Sequence, residues 1–300
     1  MLTLWLITDN KPGHRSQLQG LAQALAARTT VETHWIDAPA GRSASWQFIS
    51  GRFPPGAGLP DPDLILVAGH RTHLAGLAAR RARGGKLIAL MRPSLPLGCF
   101  DLCVIPQHDN PPARANVVAT RGVLNTARPS AEREADKGLF LIGGPSRHHG
   151  WDTPGLLAQL DAILAATPAM RWTLTTSRRT PAETETALLA LRARGVDVRP
   201  VRDTPPGWAM AQVARSAQAW VTEDSVSMVY ESLTAGAATG LLAVPRLGES
   251  RIAMGVAQLQ REGFVTAFAD WERDGILRAP PTRLCEADRV AEFVLSRWAQ

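Results

Sequence analysis

The chain has 300 residues, of which 45% are hydrophobic and 20% are charged, and its formal net charge is +6. This composition excludes an intrinsically disordered chain and provides enough apolar sequence for two domains with buried cores. Three cysteines are too few for a disulfide framework, no Cys/His spacing fits a zinc site, and no basic run with interleaved aromatic residues indicates a nucleic-acid partner.

The first half of the chain alternates short apolar runs with amphipathic stretches. The runs predicted to be strands are residues 2–8, 31–36, 64–68, 86–91, 102–105 and 117–119. Apolar residues at helical spacing predict helices near 18–25 and 74–83, whereas the Gly-, Pro- and Ser-rich residues 39–62 predict a loop with a short helix at 46–49. Strands that alternate with helices predict a mostly parallel sheet that is covered on both faces.

The same pattern restarts after the polar residues 129–137, which we interpret as a linker. Strands are predicted at residues 138–142, 172–175, 196–201, 219–221 and 241–244, and helices at 156–164, 181–194, 208–216, after 222–228 and at 289–298. We therefore predict two α/β domains, residues 1–130 and 131–300, with a last helix that could pack back on the first domain.

Ligands of open α/β sheets bind at the carboxyl ends of the strands, so the polar residues at those ends are the first candidates for chemistry. Two such segments supply Gly143, Gly144, Ser146, Arg178, Arg179 and Thr180. Glycines let a phosphate approach the backbone, a helix start favours an anion, and the arginine fork suits phosphate. A tight turn and a solvated pair of arginines are the alternative interpretations.

The densest polar segment lies where a predicted strand of the second half meets a helix. Its candidate ligand-binding residues are Glu223, Asp224, Ser225, Ser227, Met228 and, one turn further on, Glu231. Helical spacing places Glu231 on the face of Ser227 and Met228, where a carboxylate could accept both hydroxyls of a ribose. The alternative is an ordinary helix N-cap in which the helix dipole favours acidic residues.

Histidines follow three predicted strands of the first half, namely His14, close to Lys11, then His70 and His108. A histidine can act as a general base near neutral pH. For each one taken singly, a hydrogen-bonded histidine without a catalytic role is the alternative. The sequence has no GxSxG motif, and its spacings indicate no metal site.

Taken in order, these motifs resemble those of the ELM family, whose bacterial members are regarded as glycosyltransferases of the GT-B kind. The matching segments are residues 9–14 with Gln17, 100–101, 106–109, 122–125, 143–146, 177–181 and 221–228, so the resemblance extends over about residues 2–240. Ser177 and Ser232 depart mildly from the family pattern. After Val244, this chain has Pro245 and Arg246 where relatives tend to carry a stretch rich in Lys and Phe.

The resemblance implies a GT-B-like fold, with two Rossmann-type doubly wound domains that face a central cleft. It implies an acceptor in the N-terminal domain and a nucleotide-sugar donor in the C-terminal domain, with Glu231 on the ribose. The donor phosphates would lie over Gly143, with Arg178 or Arg179 neutralising the leaving group and no bound metal or cofactor. His14, with Lys11 nearby, would activate the acceptor hydroxyl.

The expected function is therefore transfer of a sugar from a nucleotide-sugar to a cell-envelope saccharide or a lipid-linked acceptor. The alternatives are a non-catalytic nucleotide-binding scaffold protein and a sugar-nucleotide epimerase or hydrolase. The N-terminus lacks the features of a signal peptide, and no apolar run would span a bilayer, so we expect a cytoplasmic protein. We also expect three aromatic side chains to be exposed, those of Trp46, Phe48 and Phe53. Together with the many arginines, they suggest peripheral contact with the inner membrane face.

Overall fold

The chain divides into two units, one formed by Met1–Thr126 with Cys285–Gln300 and the other by Ala127–Leu284. The computed structural model describes residues 1–130, 132–248 and 251–298, and their side chains except those of 251–253. The predicted boundary at residue 130 falls near the division at residue 126. The segment from Cys285 onward, which the sequence placed in the second domain with a last helix that could pack back on the first, lies in the first unit.

The first unit is built on a sheet of six parallel strands in the order β2-β1-β3-β4-β5-β6. The strands are β1 (Leu2–Thr8), β2 (Val31–Asp37), β3 (Leu64–Ala68), β4 (Lys86–Leu90), β5 (Leu102–Pro106) and β6 (Val117–Thr120). Successive side chains of a strand point to opposite faces. Leu4 and Leu6 therefore join one hydrophobic core, and Trp5 and Ile7 join another on the opposite face.

Four helices cover this first sheet. They are α1 (Pro12–Ala26), α2 (Gly41–Ser50), α3 (His70–Arg83) and, from the end of the chain, α10 (Glu286–Trp298). Helices α1 and α10 pack on one face, whereas α2 and α3 pack on the other. The loop predicted for residues 39–62 is thus partly wrong, because ten of these residues form α2. Ala44 and Gln47 become buried against α3, a tertiary contact that outweighs the weak helix propensity of Gly and Ser.

The second unit repeats the plan with the strand order β12-β11-β10-β7-β8-β9, again all parallel. Its strands are β7 (Glu134–Leu141), β8 (Arg171–Thr175), β9 (Asp197–Arg199), β10 (Ser216–Thr222), β11 (Ala238–Leu242) and β12 (Val265–Ala267). Its helices are α4 (Thr153–Ala166), α5 (Ala182–Leu189), α6 (Trp208–Arg215), α7 (Val226–Ala235), α8 (Arg251–Arg261) and α9 (Phe268–Asp274). Among the helices described, none is long and apolar enough to cross a membrane.

The strand order places one switch point in each unit. In the first sheet the chain runs from β1 to β2 on one side and from β3 to β6 on the other, so the direction reverses between β1 and β3. In the second sheet it reverses between β7 and β10. Adjacent loops diverge at such a point and leave a crevice at the carboxyl ends of the strands. In each unit a ligand is therefore expected at the switch point.

Close packing around Trp220 makes one glycine of the second sheet indispensable. A Cβ at Gly240 would overlap the indole ring of Trp220, which is almost fully buried. We expect Gly240→Ala to destabilise the protein by about 1–3 kcal/mol, since overpacking forces a large aromatic side chain out of place. Urea unfolding would measure this loss. Gly248→Ala is the matched control, because no described atom lies within 4 Å of its added Cβ; equal stability of the two variants would contradict the prediction.

Candidate functional site

Hydrogen bonds across the switch point of the second sheet join the loop after β7 to the end of β10. The N–H of Gly143 donates to Thr222 Oγ1 at 2.8 Å, and the N–H of Gly144 donates to Asp224 Oδ2 at 3.1 Å. The Asp224 side chain has no exposed surface. Two predicted segments, residues 143–146 and 222–228, are thus brought together.

Arg179 closes this joint from the loop after β8. Its Nη2 donates to Asp224 Oδ2 at 2.7 Å, and its Nη1 donates to the carbonyl oxygens of Gly144 and Pro145 at 2.6 and 3.1 Å. Thr180 Oγ1 donates to the carbonyl oxygen of Gly143. Arg179 and Thr180 therefore hold the loop in place. The neighbouring Arg178 is exposed and has no hydrogen-bond or ion-pair partner among the described residues, so its guanidinium is available to a ligand.

The two glycines of the loop are required by packing. A Cβ at Gly143 would overlap the carboxylate of Asp224, and a Cβ at Gly144 would overlap the backbone of Arg179. The sequence suggested that these glycines let a phosphate approach the backbone; in the structure, protein atoms occupy the space where the Cβ would lie. Their contribution to a ligand site is to let Asp224 and Arg179 approach the loop.

The N-terminus of helix α7, beside this joint, has no side-chain cap. Its N-cap residue Ser225 is buried, forms no side-chain capping hydrogen bond, and no acidic residue lies in the first turn. The first N–H groups of a helix lack intrahelical partners and carry a partial positive charge, which attracts an anion. Helix α4 differs, since Asp152 caps it by accepting from the N–H of Gly155 at 3.1 Å. The predicted anion site therefore fits the start of α7 better than the helix after Gly144.

The side chains along α7 have different environments. Ser227 is exposed, Met228 is half-buried, and Glu231 is half-buried without a hydrogen-bond or ion-pair partner in the part of the chain that is described. Desolvation raises the pKa of Glu231 to about 7. Glu223, by contrast, is occupied, because its Oε2 accepts from Arg246 Nε at 3.0 Å. Of the two glutamates predicted as ligand residues, Glu231 is the one free to receive a ligand hydroxyl.

Ser146 organises the rest of the loop after β7. Its Oγ accepts from the N–H groups of His148 and His149, and the backbone of His149 forms a bridge to that of Arg246. His149 is buried, with 5% of its surface exposed, although the neighbouring residues in sequence are polar. Burial lowers the pKa of His149. The side chain of Ser146 thus supports the loop by accepting hydrogen bonds from backbone N–H groups, a role the sequence pattern did not predict.

The switch point of the first sheet carries an Asp–His pair. Asp9 follows β1, its side chain is 1% exposed, and its Oδ1 lies 2.8 Å from Nδ1 of His14. Burial by itself would raise the pKa of Asp9, but the hydrogen bonds from His14 and from the N–H of Lys11 hold this pKa below its usual value. The ionised Asp9 accepts a hydrogen bond from the Nδ1–H of His14, which leaves the lone pair of a neutral imidazole on Nε2, where it can act as a base. The Lys11 ammonium lies 3.9 Å from Asp9 Oδ2.

Gly69 makes room for this pair at the end of β3. A Cβ at Gly69 would overlap the imidazole of His14, and Gly69 has a φ of +89° that side chains rarely adopt. His70 begins α3 and is exposed, whereas His73, which the sequence analysis did not single out, is 2% exposed. Burial lowers the pKa of His73 to about 4, with smaller contributions from His70 and His14. Within the described residues, no group of three or more His, Cys, Asp or Glu side chains is arranged to hold a metal ion.

Comparison with known families and proteins gives one family. The family model described as Mitochondrial fission ELM1 matches residues 12–298. An uncharacterized protein of Rickettsia prowazekii is 28% identical over an alignment of 122 residues that covers 36% of this chain. The chain spans only 32% of the length of this curated relative.

Solved structures with the same architecture include UDP-GlcNAc 2-epimerases. The enzyme of Methanocaldococcus jannaschii has a TM-score of 0.61 at 10% identity, covering 98% of this chain and 99% of its own. A candidate UDP-N-acetylglucosamine 2-epimerase of Listeria monocytogenes has a TM-score of 0.63 at 11% identity, covering 99% and 97%. At such low sequence identity, the structural similarity establishes the fold alone. It confirms the predicted GT-B-like class, which here consists of two parallel six-stranded sheets with helices.

Proposed function

Since the chain belongs to the Mitochondrial fission ELM1 family and has a GT-B-like fold, we propose that it is a glycosyltransferase that binds a nucleotide-sugar donor in its second unit. The observation that carries this proposal is the N-terminus of α7 at the switch point, which has no side-chain cap. Further along the same helix lies Glu231, whose carboxylate has no described hydrogen-bond or ion-pair partner. The epimerases with the same fold act on UDP-GlcNAc, as their names state, which favours a nucleotide-sugar as the ligand.

The proposed donor site assigns a separate task to each group. The N–H groups that start α7 receive the diphosphate, and the exposed Arg178 neutralises its charge. The carboxylate of Glu231 accepts hydrogen bonds from the ribose hydroxyls. Asp224 and Arg179 act as positioning residues, since their ion pair fixes the loop of Gly143 and Gly144 against the end of β10.

The proposed reaction uses the Asp–His pair of the first unit. Nε2 of His14 removes the proton of an acceptor hydroxyl while that oxygen forms a bond to the anomeric carbon of the sugar. The bond between this carbon and the phosphate oxygen breaks, and its electron pair leaves with the nucleoside diphosphate. Asp9 keeps His14 in the required tautomer, and Lys11 supplies positive charge nearby. We propose a cell-envelope saccharide or a lipid-linked saccharide as the acceptor.

Glu231 provides a test of the donor site through pH. Because burial raises the pKa of Glu231 in the folded protein to about 7, above the ordinary glutamate pKa of 4.5, ionisation opposes folding, and stability falls by up to about 3 kcal/mol as pH rises through this window. If the carboxylate holds the ribose, nucleotide affinity rises about tenfold from about pH 6 to about pH 8. We expect Glu231→Gln to be more stable than wild type at the higher pH and yet to bind nucleotide more weakly, without the pH dependence.

Calorimetric titration with UDP, GDP, ADP, CMP and dTDP at both pH values measures affinity, and urea unfolding measures stability. The exposed Glu272, which has no described partner, provides the control variant Glu272→Gln. Equal affinity of wild type and Glu231→Gln would remove Glu231 from the donor site. Failure of all five nucleotides to bind would overturn the donor proposal. Binding followed by hydrolysis or epimerisation without an acceptor would make the protein a sugar-nucleotide hydrolase or epimerase.

A further inference from the structure

The outer face of α2 exposes two large apolar side chains side by side. Trp46 is 57% exposed and Ile49 is 75% exposed. Residues three, four and seven positions apart lie on one side of a helix, so Arg42, Trp46 and Ile49 form a single stripe. We call these three residues, with Arg52 and Arg81 beside them, the α2 face.

The inner side of α2 is held firmly against the first unit. Ala44 and Gln47 are buried, and α2 packs along the length of α3. Phe53, just beyond the helix, is 6% exposed and stacks on Trp5 with the ring centroids 5.8 Å apart. The expectation that Phe53 is exposed is therefore wrong, whereas Trp46 is exposed because the packing of α2 points it outward.

The charged residues of the α2 face are all arginines. Residues 38–60 and all of α3 contain no Asp or Glu. Arg42 and Arg52 are exposed and have no described hydrogen-bond or ion-pair partner, and Arg81 lies over the ring of Phe48. Two other arginines of α3 are paired with acids, Arg80 with Asp101 and Arg83 with Asp61. The charges of Arg42 and Arg52 are thus not paired with any described acid, whereas the neighbouring Arg80 and Arg83 are paired.

We propose that the α2 face is a docking surface for an anionic lipid bilayer. An indole ring is favoured at the level of the lipid headgroups, and an aliphatic side chain beside it gains free energy by leaving water. Unpaired arginines around them meet the negative surface potential of anionic lipids. Hydrophobic insertion and charge complementarity act on the same few residues, and the docking does not depend on the proposed transfer activity.

The test is co-sedimentation of the purified chain with vesicles of phosphatidylcholine alone and of equal parts phosphatidylcholine and phosphatidylglycerol. We expect binding to the mixed vesicles only, weakened by salt. Trp46→Ser/Ile49→Ser should reduce the affinity by at least about tenfold, and Arg42→Gln/Arg52→Gln by roughly thirtyfold. All four positions are exposed, so the variants should fold, which thermal melting would verify.

Two controls separate docking from general stickiness. Ile276→Ser removes an apolar side chain that is 54% exposed in the second unit, and Arg114→Gln removes an exposed arginine of the first unit. Both should bind the mixed vesicles like wild type. The proposal is overturned if wild type does not bind them, if the controls lose affinity as much as the α2 variants do, or if light scattering shows that Trp46 and Ile49 instead hold two copies of the chain together.

Discussion

Replacing Arg179 by leucine is expected to destabilise the second unit by about 3 kcal/mol, because it leaves the buried carboxylate of Asp224 without its cation. The Asp224 side chain is 0% exposed, and Arg179 Nη2 lies 2.7 Å from its Oδ2. The same substitution removes the donors to the carbonyl oxygens of Gly144 and Pro145. The expected destabilisation is near the lower end of the range for breaking a buried ion pair, since the Arg179 side chain is 42% exposed.

Urea unfolding of four variants would isolate this effect. Arg178→Leu is the matched control, because Arg178 is exposed at the adjacent position without a described partner, and it should lose almost no stability. Arg179→Leu/Asp224→Asn should recover part of the loss, since the second change removes the unpaired charge, whereas Asp224→Asn alone is the reference for that change. Equal stability of Arg178→Leu and Arg179→Leu would show that the ion pair does not hold the loop.

Replacing His14 by glutamine is expected to lower sugar transfer by about 10²–10⁴-fold, the contribution typical of a general base. Glutamine can still hydrogen bond to Asp9 but cannot take a proton from an acceptor hydroxyl. Because the proposed donor site belongs to the second unit, nucleotide affinity should remain unchanged. Single-turnover transfer of a labelled sugar from the nucleotide-sugar that binds, to an extract of envelope lipids and saccharides, would measure the rate.

The neighbouring His70 supplies the control, since it is exposed at the start of α3 and His70→Gln should leave the rate unchanged. Imidazole added to His14→Ala should restore part of the activity if His14 acts as a base. Asp9→Asn should shift the pH profile of the rate, because Asp9 positions His14 and stabilises its protonated form. Full activity of His14→Gln would remove this residue from the proposed mechanism and leave the donor site untouched.

The alternation of apolar runs and amphipathic stretches was sufficient to predict two parallel α/β units. A strand buried on both faces must be apolar throughout, and a helix that covers it must have one apolar face, so both appear in the linear pattern. The pattern missed or cut short α2, α8, β12 and α9. Their formation depends on burial against other elements, which the local residues of each do not specify.

Candidate site residues were predictable as a set, because polar residues that follow buried strands must meet at one edge of the sheet. Their individual environments were not. Arg178 and Arg179 are adjacent and chemically identical, yet only Arg179 reaches Asp224. Glu223 and Glu231 both follow β10, yet only Glu223 is held by an arginine. His149 is buried although its neighbourhood in sequence is polar. The ligand roles assigned to these residues remain predictions.

The sequence by itself determined the class of fold and the loops where chemistry is expected, since both depend on the local periodicity of the chain. The tertiary structure alone decided which side chains are occupied and which are free. Asp9 meets His14, Gly143 admits Asp224, and α7 remains uncapped while α4 is capped. Such contacts depend on distances of a few ångströms between residues far apart in the chain, and no local pattern encodes them.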